Sequence, residues 1–251
     1  MAEETAGPPL LIQEGPRATI RLNRPLQHNR LEPVDLDAII AMLDELAVQP
    51  ALRVLVLAAT GPTFCSGFDL KSLGAGPAKN PFDHVVDRLE QFPRPTIAAL
   101  QGSVYGGATD LALACDFRLG VDGMKLVMPA GRLGIQYYPS GLERAVTRLG
   151  LAAAKRLFLL AEPIEAADLL AMGYLDRLVP AADLARATDE IATILAGNAP
   201  NALRGMKRNL NAIARSTLDR AIAQAEYQTS TQSDELAEGL KAFAEKRKPA
   251  F

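Results

Sequence analysis

The stretch Gln101-Gly102-Ser103-Val104-Tyr105-Gly106-Gly107-Ala108-Thr109-Asp110-Leu111-Ala112-Leu113-Ala114-Cys115-Asp116 decides the architecture. The apolar run before it, Pro95 to Leu100, has the length and texture of a buried strand. That strand stops at Gly102. After Gly106-Gly107 a helical pattern begins, with Leu111, Ala112 and Cys115 on one side. Paired glycines at a helix entrance let the chain bend sharply and let another molecule approach the main chain. The first N–H groups of a helix lack internal partners, so such an entrance can hold a negatively charged oxygen. Asp110 follows Gly107 by three residues, which places its carboxylate on about the same face. An anion-stabilising donor and a proton carrier are therefore expected to converge.

The neighbouring segments extend this to a layered α/β fold. Val54-Leu55-Val56-Leu57-Ala58 is a continuous apolar run typical of a strand covered on both faces. Upstream, Ala18, Ile20 and Leu22 alternate as in a half-exposed strand, and a helix is predicted from about Pro33, with Leu36, Ile39, Ile40, Leu43 and Leu46 at helical spacing. Strands alternating with helices imply right-handed crossovers. Gly61 to Lys71 reads as a turn-rich loop and residues 72 to 81 as a mobile segment without period; Phe82 to Gln91 is a short helix. A further strand is expected at Phe117 to Val121, then a Gly-, Pro- and Tyr-rich loop from Met128 to Ser140. Three amphipathic helices close the chain, marked by Leu184, Ile191, Ile194 and Leu195, by Leu203, Met206, Leu210 and Ile213, and by Leu236, Leu240 and Phe243. Residues 1–9 read as a loose tail, 10–195 as the core and 196–251 as a C-terminal helical region.

Composition narrows the function. The 251 residues are 49% hydrophobic and 22% charged, with net charge −2, which excludes a general polyanion-binding surface. No Trp and 5% aromatic content argue against a stacking platform for single-stranded nucleic acid. Cys65 and Cys115 each lie in an apolar segment and read as buried free thiols of a reducing compartment. Two His and two Cys far apart give no metal-ligand spacing, and no apolar run reaches membrane-spanning length. The expected location is the cytoplasm.

Three stretches carry a family likeness. Phe64-Cys65-Ser66-Gly67-Phe68-Asp69-Leu70-Lys71 resembles the first signature loop of the enoyl-CoA hydratase/isomerase, or crotonase, superfamily. Gly102 to Asp116 resembles its glycine-rich second signature, and Phe243 to Phe251 its C-terminal helix and tail. Asn23-Arg24-Pro25 with Asn29, and Pro163 to Gly173, resemble weaker family stretches in the same order, so the likeness runs from about residue 10 to the C-terminus. The resemblance implies a crotonase-like spiral of ββα repeats with a C-terminal helical layer, and a trimerisation role for 196–251 in a homotrimer or dimer of trimers. It implies an acyl-CoA thioester as substrate, with coenzyme A present only as part of it and no permanently bound cofactor; the composition and spacing point to no metal, nucleic acid or membrane as partner.

By position, the family's oxyanion hole falls on the main-chain N–H groups of Phe68 and Gly107, and its catalytic acid on Asp110. The second acid of the hydratases falls on Ala130, which has no proton to give. Gly134-Ile135-Gln136-Tyr137 resembles the methylmalonyl-CoA decarboxylase branch, in which Tyr137 would orient a leaving carboxylate; the competing reading has Tyr137 and Tyr138 lining a loop with their hydroxyls in water. Coenzyme A contacts are implied at Phe64, Ser66, Asp69, Leu70 and Lys71, and from the tail at Phe243 and Lys246. Glu143 and His84 read as surface residues, His28 as a loop residue without a partner, and Asp116 as a structural acid. The expected activity is enoyl-CoA hydratase/isomerase chemistry in fatty or carboxylic acid metabolism. Decarboxylation and non-catalytic acyl-CoA binding are the alternatives, since one fold hosts many reactions.

Overall fold

The computed structural model describes residues 6–73 and 81–251. In chain order the elements are β1 (Leu10–Glu14), β2 (Arg17–Leu22), α1 (Pro33–Ala47), β3 (Val54–Ala59), β4 (Thr63–Cys65), α2 (Phe82–Glu90), β5 (Thr96–Leu100), β6 (Ser103–Tyr105) and α3 (Ala108–Leu113). There follow β7 (Phe117–Val121), β8 (Lys125–Val127), α4 (Pro139–Leu149), α5 (Leu151–Lys155), β9 (Ile164–Glu165), α6 (Ala166–Ala171) and β10 (Arg177–Val179). Helices α7 (Leu184–Ala196), α8 (Pro200–Ala214), α9 (Arg220–Ser230) and α10 (Asp234–Ala244) end the chain.

Two sheets run side by side. The larger has the order β1-β2-β3-β5-β7-β10 and the smaller β4-β6-β8-β9. Every pair from β2 to β10 in the large sheet is parallel, as are β4–β6 and β6–β8 in the small one. Each passage of the chain therefore lays one strand in each sheet and then a helix: β3-β4-α2, β5-β6-α3, β7-β8-α4. This is a spiral of ββα turns, as the family likeness implies. All five residues of β5 are buried, because both faces of this central strand are covered. The step from β5 to β6 depends on Gly102. A Cβ there would lie 2.0 Å from the Pro62 carbonyl oxygen, so no other residue lets the two crossovers touch.

Some expectations shift. The tail is not loose throughout: the Gly7 amide donates to the Asn23 carbonyl and Pro9 is buried, while residues 1–5 lie outside the described part. The segment read as mobile, 72 to 81, lies mostly outside it too. The C-terminal layer has a fourth helix, α9. Apolar side chains on these helices, Met206, Leu210, Ile213, Leu240 and Phe243 among them, remain more than half exposed in the single chain.

Candidate active site

Two loops leave neighbouring parallel strands of the small sheet, after Cys65 on β4 and after Tyr105 on β6. Gly67 holds them together. Its φ of +93° is open to glycine alone, and a Cβ there would fall 2.9 Å from the Tyr105 carbonyl oxygen and 3.1 Å from the Gly107 nitrogen. The buried Cys65 thiol fixes the bend, accepting from the Gly67 amide at 3.3 Å and donating to the Asn29 carbonyl at 3.0 Å. Burial pushes that thiol up to about 12, so it is inert and structural.

Several main-chain donors around this junction are already used within the protein. Asp69 N–H donates to Leu31 and Gly106 N–H to Val127. Among the described residues, the amides of Phe68 and Gly107 have no acceptor. Interior amides are nearly always paired, so two unpaired donors on adjoining loops form a socket for an external oxygen.

Beside the socket lies Asp110, on the first turn of α3 and 2% exposed. Its Oδ2 accepts from Arg144 Nη1 at 2.6 Å and from the Tyr138 hydroxyl at 2.5 Å, and Tyr137 donates to Tyr138 at 3.2 Å. Its Oδ1 is buried without a partner among the described residues. Burial pushes the Asp110 carboxyl above its ordinary range, and the Arg144 charge and the Tyr138 hydroxyl pull it part of the way back. Both phenols are pushed up, first by burial, and stay protonated as neutral donors.

Arg144, from α4, is fully buried and holds three carboxylates: Asp110, Glu90 at 2.9 Å and Asp87 at 2.5 Å. Glu90 is also paired with Arg148 and with Arg215, the residue that follows α8. Burial alone would raise the Glu90 carboxyl, but these guanidinium groups outweigh it and the net direction is down. The cluster ties the C-terminal layer to the floor of the site. Removing the central cation leaves buried acids uncompensated, so Arg144→Met is expected to lose about 3–5 kcal/mol of stability in chemical denaturation. A loss below about 1 kcal/mol would show that the acids do not rely on it.

Residues 14–251 match the enoyl-CoA hydratase/isomerase family. The chain belongs to that family. It is 34% identical over 212 residues to an enoyl-CoA isomerase/hydratase of Mycosarcoma maydis, covering 81% of this chain and 77% of that protein. It is 28% identical to the methylmalonyl-CoA decarboxylase of Escherichia coli, covering 93% and 94%. A crystal structure of an enoyl-CoA hydratase from Bacillus anthracis superposes with a TM-score of 0.86 at 29% identity, covering 98% of this chain and 99% of that one. The relatives are named as enzymes, and the chain is an enzyme of this family.

Several residues fall differently from the sequence reading of this hydratase/isomerase-family chain. Phe64 is fully buried on β4 and cannot touch a ligand. Ser66 and Asp69 are half-buried and Leu70 and Lys71 exposed on the same loop, with Asp69 accepting from Ser72 at 2.9 Å. Phe243 and Lys246 are exposed and, among the described residues, make no hydrogen bond, ion pair or ring contact with that loop. The tail instead ends where Arg53, just before β3, donates to the Phe251 carbonyl at 3.0 Å. The tyrosine hydroxyls are not left to water, since both join the Asp110 chain. His28 has a partner, Thr63 Oγ1 at 2.9 Å. Asp116 is structural as expected, held by Thr96 and by Lys207 at 2.7 Å. Ala130 is buried, and no carboxylate replaces it at that position. Arg144 escaped sequence reading altogether.

Proposed function

We propose that the protein shifts a carbon–carbon double bond in an enoyl-CoA thioester through a dienolate, with Phe68 and Gly107 as the oxyanion hole and Asp110 as the proton carrier. The observation that carries this reading is the pair of unsatisfied amides on adjoining loops, next to a buried carboxylate with one free oxygen. The thioester carbonyl accepts from both amides. Asp110 takes a proton from the carbon next to the carbonyl, the double-bond electrons delocalise, and the carbonyl oxygen becomes anionic. Fixed donors stabilise that charge most strongly when it is fullest. The proton returns to the far end of the dienolate and leaves a conjugated thioester. Arg144 and Tyr138 occupy Oδ2, so Oδ1 is the oxygen available for the transfer. Ser66 and Asp69 to Lys71 border the path of the coenzyme A moiety, and the exposed apolar faces of α8 and α10 support a homotrimer or a dimer of trimers. Hydration as the hydratases perform it uses two carboxylates, and Ala130 makes the isomerase half of the family chemistry the better fit.

Incubation with a 3-enoyl-CoA is expected to produce the conjugated-thioester absorbance, while crotonyl-CoA keeps its own. Rapid loss of the crotonyl-CoA absorbance would favour a hydratase instead. A second reading, decarboxylation of a malonyl-type thioester, is favoured by the hydroxyl chain from Tyr137 through Tyr138 to Asp110. There the bond to the carboxylate breaks, carbon dioxide leaves with the bond's electrons left on carbon, and the resulting simple thioester enolate, held by the same two amides, is protonated on carbon. Loss of mass from methylmalonyl-CoA tests it.

The pH profile follows from the environment of Asp110. The carboxylate form is the base, and burial places its ionisation above the range of an ordinary Asp. The Tyr138 hydroxyl favours the charged form, so in Tyr138→Phe the acid limb of kcat/KM is expected to move to higher pH. An unmoved or lowered limb would show that this hydrogen bond is absent during turnover.

A further inference from the structure

With eight Phe, five Tyr and no Trp in the chain, five rings gather in one arc beside the proposed site. Phe68 meets Phe82 at a centroid distance of 6.0 Å, and Phe82 meets the edge of Tyr138 at 6.3 Å. Tyr138 stacks on Tyr137 at 4.3 Å, and Tyr137 tilts onto Phe158 at 5.0 Å. All five are half-buried. The arc starts at the residue whose amide is unpaired and passes over the second one: a Cβ on Gly107 would lie 2.8 Å from Phe82 Cζ. It ends past the hydroxyl bound to Asp110. Whatever carbonyl reaches the two amides has its attached carbons laid along these rings.

The geometry points to Phe82 as the residue that limits the length of the acyl group, making this a site for short acyl thioesters. The inference rests on the reading that a thioester occupies the site. A methylene chain threading between two rings needs about 3.5–4.0 Å to each of them. The ring separations leave no such gap, so the arc is a continuous wall. Phe82 is its keystone, because it alone touches Phe68, Gly107 and Tyr138. Pocket walls of this kind discriminate by roughly 10- to 200-fold for one methylene too many.

The test is calorimetric binding of saturated thioesters, which the enzyme cannot turn over, to the full-length protein. Butanoyl-CoA is expected to bind at least about tenfold more tightly than octanoyl-CoA. Phe82→Ala is expected to remove most of that difference by strengthening octanoyl-CoA, and Phe82→Leu, a milder change, to move it in the same direction; thermal melts check that both variants are folded. Equal affinity of the unaltered protein for the two thioesters would overturn the wall while leaving the acyl-CoA reading intact. Discrimination that survives in both folded variants would overturn the role of Phe82. Failure of the unaltered protein to bind any thioester would overturn the underlying reading as well.

Discussion

Asp110→Asn is expected to lower the rate of the double-bond shift by about 10²–10⁴-fold, the range that a positioned proton carrier supplies. The substitution keeps the shape of the side chain and can still accept from Tyr138, so the site stays assembled. An amide cannot take a proton from carbon at neutral pH. Its effect on stability has two opposed parts. Burial raises the Asp110 carboxyl above its ordinary value, so this acid is strained toward neutrality, and a neutral amide relieves the desolvation. That relief is offset by leaving Arg144 one counter-charge short, though Glu90 and Asp87 remain on it. Thioester binding should therefore survive while turnover does not. Single-turnover formation of conjugated product from a 3-enoyl-CoA separates the two. If Asp110→Asn retains more than about a tenth of the rate, the proton travels through another group. Should decarboxylation of a malonyl-type thioester be the true reaction, the same variant would keep much of its activity, because carbon dioxide departs without a base.

Much of this site could be read from residue order, and the remainder shows where such reading stops. Apolar runs without alternation marked β3 and β5, and the spacing of Leu36, Ile39, Leu43 and Leu46 marked α1, because burial acts directly on local pattern. The edge strand β1 is only half-buried, and α9 carries just Ile222 and Tyr227 as large apolar side chains, so neither leaves a periodic trace. The glycine pair and Asp110 were legible because one short segment carries them. Arg144 was not: its partners lie 34, 54 and 57 residues away, and an arginine within a helix reads as solvent-facing. Phe64 illustrates the opposite error. Motif likeness placed it on a ligand, whereas the strand it occupies is buried throughout, and only its neighbours on the loop are open. The tyrosine pair lies between these cases, since adjacency was visible but the hydrogen bond across 28 residues to Asp110 was not.

Gly107→Pro is expected to reduce turnover by about 10²–10³-fold, the usual effect of losing one oxyanion donor. The backbone tolerates the change better than most positions would. Gly107 has φ −57°, close to what proline imposes, and among the described residues its N–H serves no acceptor in the protein, so no structural hydrogen bond is broken. What proline adds besides removing the donor is bulk, because any Cβ at 107 meets the Phe82 ring. Gly107→Ala supplies the control: it brings the same Cβ but keeps the N–H. Pairing each with Phe82→Ala frees the space that the new atoms need. Turnover in the relieved alanine variant should then lie well above that in the relieved proline variant, with thioester affinity similar in the two. Equal turnover in these two double variants would mean that the amide at 107 never meets the carbonyl oxygen. The charge would then have to be stabilised elsewhere, and the junction that Gly67 holds between the two loops would be a matter of folding rather than of chemistry.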